Sequence, residues 1–522
     1  MLKSDKHDAS FSPPSRVISA HPDLDGSTME PSVSRHGEEG ELKIRFGFWT
    51  MSALCFLLMS TYQAWAGTIV TGMYSGGPVT LFWGFIVVFF CTLCSGASLA
   101  EMVSVWPTAE GQIAWTEHLA PERYARFLRY YVGWITSVGY IAMSASAAFV
   151  FAVAISAYAI FCNVGYEAEK WHASLIFWAL ISFALFMNIY GIRTFSAINL
   201  GMTLLGVTNL VVIMQVVSVV LAMNPHRNSA SFVFTSFINS TGWNNNGVVF
   251  LIGLVSAGYS MVGYDSVAHM SEEMATPRRD APRAMIGAIL IGGVTGILFI
   301  LVMLFTLDGI EELAATPLPY LALLYQATRN IPGSVFLAIT TMITSPLATV
   351  MILASSGRVL MSFAREGGLP FSRFFAEISP THNLPVNALC FSAVVQALLV
   401  LIYIGNAALF NSLLVLTVAA LNITYAIPNG LMLFRGRRLG MLKNAEFSLG
   451  RLGPVANAVA LAYNITISIF LFFPTFLPVD GSNMIFAFVH IILLLHWFIN
   501  VRNAAAFSVE ESNATSAKME EN

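Results

Sequence analysis

The sequence predicts an all-α polytopic membrane protein with twelve transmembrane helices, and three observations predict it. The first is composition: 56% of the 522 residues are hydrophobic and 11% charged, with a mean hydropathy of +0.69, a balance foreign to soluble globular domains. The second is spacing. Apolar segments occupy residues 49–73, 79–102, 130–161, 172–190, 195–223, 247–270, 284–306, 334–356, 386–405, 408–434, 454–478 and 484–501. Each has 18 residues or more, enough for the roughly 20 helical residues that cross a bilayer core of about 30 Å. The third is charge. With the N-terminus inside, 23 of the 26 Lys and Arg fall in cytoplasmic segments, leaving only Lys170, Arg227 and Arg329 outside. Basic residues concentrate in cytoplasmic loops, so both termini are expected in the cytoplasm. A barrel is excluded, because the strand-period alternation it needs is absent.

Residues 1–46 carry SPPSR, many Ser and mixed charge without an apolar core or a signal-peptide segment, and read as a disordered cytoplasmic tail. Residues 47–502 form the helical domain and 503–522 a second short tail. The five cysteines, Cys55, Cys91, Cys94, Cys162 and Cys390, lie in or beside apolar segments with no metal or disulfide spacing. Of the sequons, only Asn239 lies in a loop expected outside, which makes it the glycosylation candidate.

Two segments are interrupted. The first, WTMSALCFLLMSTYQAWAGTIVTGMYSGGP, turns polar and small near Ser60 to Gly67, and the sixth contains VSAGYSMVGYDSVAHMSEE. They stand five segments apart. Paired discontinuous helices at corresponding positions point to an inverted-repeat transporter with its site at the midplane. For a single glycine, close helix packing is the plainer explanation; a break in both segments, each with aromatic neighbours, favours a site. The breaks are expected at Tyr62, Gln63, Ala64 and Trp65, and at Ser256, Ala257, Gly258, Tyr259 and Ser260.

Exposed N–H groups at one half-helix end would hold a carboxylate, and C=O groups at the other an ammonium. Tyr62, Trp65, Tyr140, Tyr259 and Tyr264 are expected to close over a bound amine by cation–π contact, worth about 0.5–2 kcal/mol per ring. Asp265, an acid inside a membrane segment, reads as a proton carrier, an amine partner or an interhelical hydrogen bond. His269 lies one turn on, able to share a proton with it. Glu272 and Glu273, in the charged run that follows, are expected to pair with Arg123, Arg126 or Arg365 as a gate; a solvated loop is the plain alternative.

Seven stretches, SGGPVTLFWG (75–84), SLAEMVSVWPTAEGQ (98–112), HLAP (118–121), FINSTGWNNNG (237–247), DSVAHMSEE (265–273), PRRDAPRAM (277–285) and SFAREGGLPFS (362–372), carry a resemblance. The sequence resembles the amino acid-polyamine-organocation superfamily of secondary transporters, in its fungal amino acid/choline branch. The resemblance implies a LeuT-like 5+5 inverted repeat plus two helices, working by alternating access, usually with proton symport. It implies that Tyr62, Gln63 and Ala64 fall on the first break, that Tyr259 is an aromatic gate and that Asp265 is the acid following the sixth break. Three departures stand out: Glu110 replaces a glycine of the usual PTAGGQ, Gln63 and Ala64 stand where small glycines are common, and no lysine occurs in the fifth segment.

The expected function is a plasma-membrane permease importing a small amine-containing solute, an amino acid, gamma-aminobutyrate, choline or a polyamine, with protons as the coupling ion. A choline-specific carrier is the alternative within the class, and a nutrient sensor the alternative outside it, disfavoured by the short tails. The spans carry no paired acids, His/Glu metal spacing or nucleophile motif, so an enzyme is not expected. No metal, cofactor or nucleic-acid partner is expected either.

Overall fold

Eleven of the twelve expected segments are helical in the computed structural model, which describes residues 46–477 apart from 164, 192–194, 310–312, 314–315, 317, 406–408 and 476. Both tails and the twelfth segment, 484–501, lie outside the described residues. Among the described residues, ten helices are long and apolar enough to cross a membrane, and the sixth span is a shorter apolar helix. In order, the first span is α1 (Phe48–Met59) and α2 (Thr61–Tyr74), followed by α3 (Gly77–Val105), the short α4 (Gln112–Leu119), α5 (Glu122–Cys162), α6 (Lys170–Ile189) and α7 (Phe195–Met223). The sixth span is α8 (Asn246–Ser260) and the four-residue α9 (Ser266–His269), and α10 (Pro277–Thr306) is the seventh. A connecting helix, α11 (Pro319–Thr328), precedes the eighth span, α12 (Ile331–Met342) and α13 (Ser345–Arg365); α14 (Val386–Gly405), α15 (Leu409–Leu431) and α16 (Gly453–Phe470) complete the set.

Each of the first four spans packs against the span five places later: α2 on α8, α3 on α10, α5 on α13 and α6 on α14. Two superposed five-helix units would pair in this way. The tenth and eleventh spans, α15 and α16, lie side by side, and α16 also covers α3.

Several spans outrun their expected limits, α5 and α13 the furthest. α5 starts at Glu122 rather than near 130 and runs for 41 residues, about 60 Å at 1.5 Å per residue and twice the bilayer core. Its first turns, with Arg123, Arg126 and Arg129, therefore project beyond the apolar slab: Pro121 and the acidic Glu122 at its start suit a helix N-terminus. α13 likewise carries on to Arg365. With the arginines of the turn into α10 they make one arginine-rich end of the bundle, where Phe46 N–H donates to the Glu273 carbonyl at 3.0 Å and ties the chain's first described residue to the end of the sixth span.

Candidate functional site

The first span breaks at one residue. Ser60 takes φ 42° and ψ 44°, in the left-handed region, and the helix restarts at Thr61. The expected break at Tyr62, Gln63, Ala64 and Trp65 is thus corrected: these four form the first turns of α2. Their polarity serves side-chain bonds instead. Tyr62 Oη donates to Asn209 Oδ1 on α7, and Gln63 Nε2 donates to the Thr341 carbonyl at 2.5 Å and to Thr344 Oγ1 at 2.7 Å, where the eighth span is itself interrupted.

The sixth span is corrected likewise. Ser256, Gly258, Tyr259 and Ser260 all lie inside α8, and the unwound stretch is Met261–Tyr264. Gly263, at φ +94°, makes the turn, a conformation that favours glycine. Gly258 is a packing residue, for a Cβ there would stand 3.0 Å from Val418 Cγ1. Ser256 Oγ meets Thr68 Oγ1 at 2.8 Å, clamping α8 to α2, and Ser260 Oγ donates back to the Ala257 carbonyl at 2.8 Å.

Between the breaks lies a small cavity of about 40 Å³. Leu58, Met59, Ser60, Gln63 and Ala64 of the first span, Met143, Ala147 and Val150 of α5, Tyr259 of α8, and Ser345, Ala348 and Ile352 of α13 line it. None of the twelve is charged. Of the expected binding residues, Gln63, Ala64 and Tyr259 reach it, while Tyr62, Trp65, Tyr140, Ser256, Gly258 and Ser260 are not among its walls. The reason is helical phase. Tyr62 and Trp65, three apart, share a face and pack on Phe299 at 5.9 and 5.5 Å between ring centroids, whereas Gln63 and Ala64 turn to the cavity. Among the described residues the expected aromatic cage reduces to one ring, Tyr259, tethered by its hydroxyl to Ser146 Oγ at 2.9 Å.

Beyond the unwound stretch sits Asp265, fully buried. Its Oδ1 accepts from Tyr425 Oη at 2.6 Å and its Oδ2 from Gln112 Nε2 at 2.5 Å. His269 Nε2 faces the same Oδ2 at 3.4 Å. The other ring nitrogen, Nδ1, lies 2.8 Å from the Ala109 carbonyl, which can only accept. With a proton on Nδ1, a neutral imidazole turns its Nε2 lone pair to the carboxylate, so acceptor meets acceptor. One proton, on the acid or on the ring, would make this contact attractive. Tyr140 stands edge-on to the imidazole at 5.1 Å.

Residues 46–495 match the amino acid permease family. The chain belongs to that family. Its relatives include a Macrophomina phaseolina protein provisionally named an amino acid/polyamine transporter, 32% identical over 83% of this chain and 96% of its own. The choline transporter of Saccharomyces cerevisiae is 30% identical over 91% and 84% of the two chains, and the amino-acid permease BAT1 of Arabidopsis thaliana 27% over 90% and 93%. The permease is accordingly a membrane transporter of amino acids or amines and not an enzyme.

At the arginine-rich end of the permease, Glu272 pairs with Arg365 at 3.7 Å, one of the partners expected. Glu273 pairs with Arg358 at 2.5 Å, a residue the sequence reading did not nominate. Ser345, Ala348 and Ile352 were missed as well. A signal for that wall existed, since Ser345-Pro346 restarts a helix in mid-span. Nothing local marked Gln112, whose partner is 153 residues away.

Proposed function

We propose that the permease imports an amino acid-type zwitterion by proton-coupled alternating access at the plasma membrane, with its arginine-rich end and both termini in the cytoplasm. The observation that carries this is the uncharged cavity set between two helix breaks. The first N–H groups of α2 and the last C=O groups of α1 and α8 have no partner within their helices. Opposed ends of this kind suit a carboxylate and an ammonium on one small solute. Gln63, Ala64 and Tyr259 would bound it; Asp265 and His269 would carry the proton, and Glu272 with Glu273 would close the cytoplasmic side. A polyamine finds no carboxylate among the walls for its second charge. Choline, the substrate named for the yeast relative, would have one aromatic ring to bind it.

Uptake of labelled amino acids, gamma-aminobutyrate, choline and putrescine in permease-deficient cells, at about pH 5 and pH 7.5 and with a protonophore, tests the reading. Protonophore-sensitive accumulation of a zwitterion supports it. Accumulation of choline alone would replace it by the choline carrier, and silence towards the whole panel at normal surface level would favour a sensor. Ala348→Phe, which fills the cavity from α13, is expected to cut uptake at least about tenfold, as loss of shape fit at a buried site does; unchanged uptake would move the site elsewhere.

Asn239 is exposed in the loop opposite the arginine-rich end, and in the proposed orientation it faces outside. Peptide N-glycosidase is expected to increase the mobility of the wild type on gels and to leave Asn239→Gln unchanged. An unaltered wild type would remove Asn239 as an acceptor.

A further inference from the structure

The turn at residues 109–111, with Gln112 at the start of α4, has two faces that touch different chemistry. One face holds the buried pair: the Ala109 carbonyl lies 2.8 Å from His269 Nδ1, Gln112 Nε2 donates to Asp265, and Gly111 lies so close that an added Cβ would stand 2.9 Å from His269 Cε1. The other face meets charge. The Ala109 N–H donates to Glu272 Oε1 at 2.8 Å. Glu110, between them, is half-buried and within electrostatic reach of Glu117 of α4, Arg129 of α5, Glu272 beyond α9 and Arg365 at the end of α13.

The guanidinia there are already engaged. Arg129 binds Glu117 at 2.8 Å and also Glu366, and Arg365 binds Glu272. Among the charged groups that act on Glu110, the guanidinia of Arg129 and Arg365 are matched by the carboxylates of Glu117 and Glu272, so an ionised Glu110 puts the acids in excess within this set. Among the described residues Glu110 makes no salt bridge, so a proton gained there relieves the excess at the loop itself.

We propose that Glu110 is a second proton-binding site, at the arginine-rich mouth, whose protonation closes that mouth beneath the Asp265–His269 pair. The inference rests on the proposed proton coupling for its purpose: a carrier that brings protons in would be shut by the acid it accumulates. Closure itself needs no substrate to be seen. Burial lifts the Glu110 carboxyl from 4.5 to about 7, with Arg129 pulling it down and Glu272 pushing it up. An acid raised in the closed form favours closure in acid, and that preference fades as pH rises from about 4.5 to about 7.

The test is hydrogen–deuterium exchange of the full chain in lipid nanodiscs without substrate, corrected for intrinsic rates, in peptides covering 106–119 and 266–276. In the wild type exchange is expected to be about tenfold slower at about pH 5 than at about pH 7.5, after allowance for partial exposure. Glu110→Gln should be slow at both values, and Glu110→Asp should keep a ratio above about threefold. A wild type with no pH dependence, or one of opposite sign, would overturn the proposal, as would an unchanged ratio in Glu110→Gln. Because no solute is added, a failed uptake assay leaves this result independent.

Discussion

Asp265→Asn is expected to abolish concentrative uptake while the protein still reaches the surface. A pH difference of about two units carries about 2.7 kcal/mol per proton, enough for roughly hundredfold accumulation by one-for-one symport. The variant should fall to simple equilibration. Its cavity walls are untouched, because Asp265 is not among them, so exchange of internal for external solute should stay within about threefold of the wild type. The physical cause lies in the site's donors. Tyr425 Oη and Gln112 Nε2 both point at the carboxylate, and an asparagine turns one N–H2 group against one of them and cannot take up a proton. The mismatch should also lower stability by about 1–3 kcal/mol. Normal accumulation by this variant would take Asp265 out of the mechanism.

The largest effect on stability is expected at Arg358→Ala. Arg358 is 2% exposed and Glu273 is fully buried; the guanidinium donates through Nε to Glu273 at 2.5 Å and through Nη1 to the Ala354 carbonyl at 2.9 Å. Removing it leaves a buried carboxylate without its guanidinium, which costs about 3–5 kcal/mol. Thermal unfolding in detergent and surface level should both drop sharply. The double variant Glu273→Gln with Arg358→Met should recover at least about half of that loss, since it deletes the charges together. An Arg358→Ala protein within about 1 kcal/mol of wild type would mean that water reaches the pair.

Some of this was legible along the chain and some was not. The all-α membrane class, the paired interruptions and the buried acid followed from composition and from local polarity, because lipid penalises an unsatisfied charge or backbone group wherever it stands. The position of each break did not follow. Gly258 looked like the hinge, but only packing against Val418 and the backbone angle of Gly263 decide which glycine turns the chain. The aromatic residues near the breaks looked like a cage. Their helical phase, and the presence of Phe299 on the other side, sends Tyr62 and Trp65 away from the cavity.

The sequence by itself determined that this chain crosses a membrane many times, that its first and sixth spans are discontinuous and that Asp265 lies in one of them. Those are properties of single segments in an apolar solvent, and a segment carries them wherever it packs. Tertiary structure alone decided that Gln63, Tyr259 and Ala348 share one cavity, that Gln112 and Tyr425 hold Asp265 and that Arg358 answers Glu273. Those partners stand 85 to 160 residues apart, and a pairing across such distances is set by which helices meet and at what rotation.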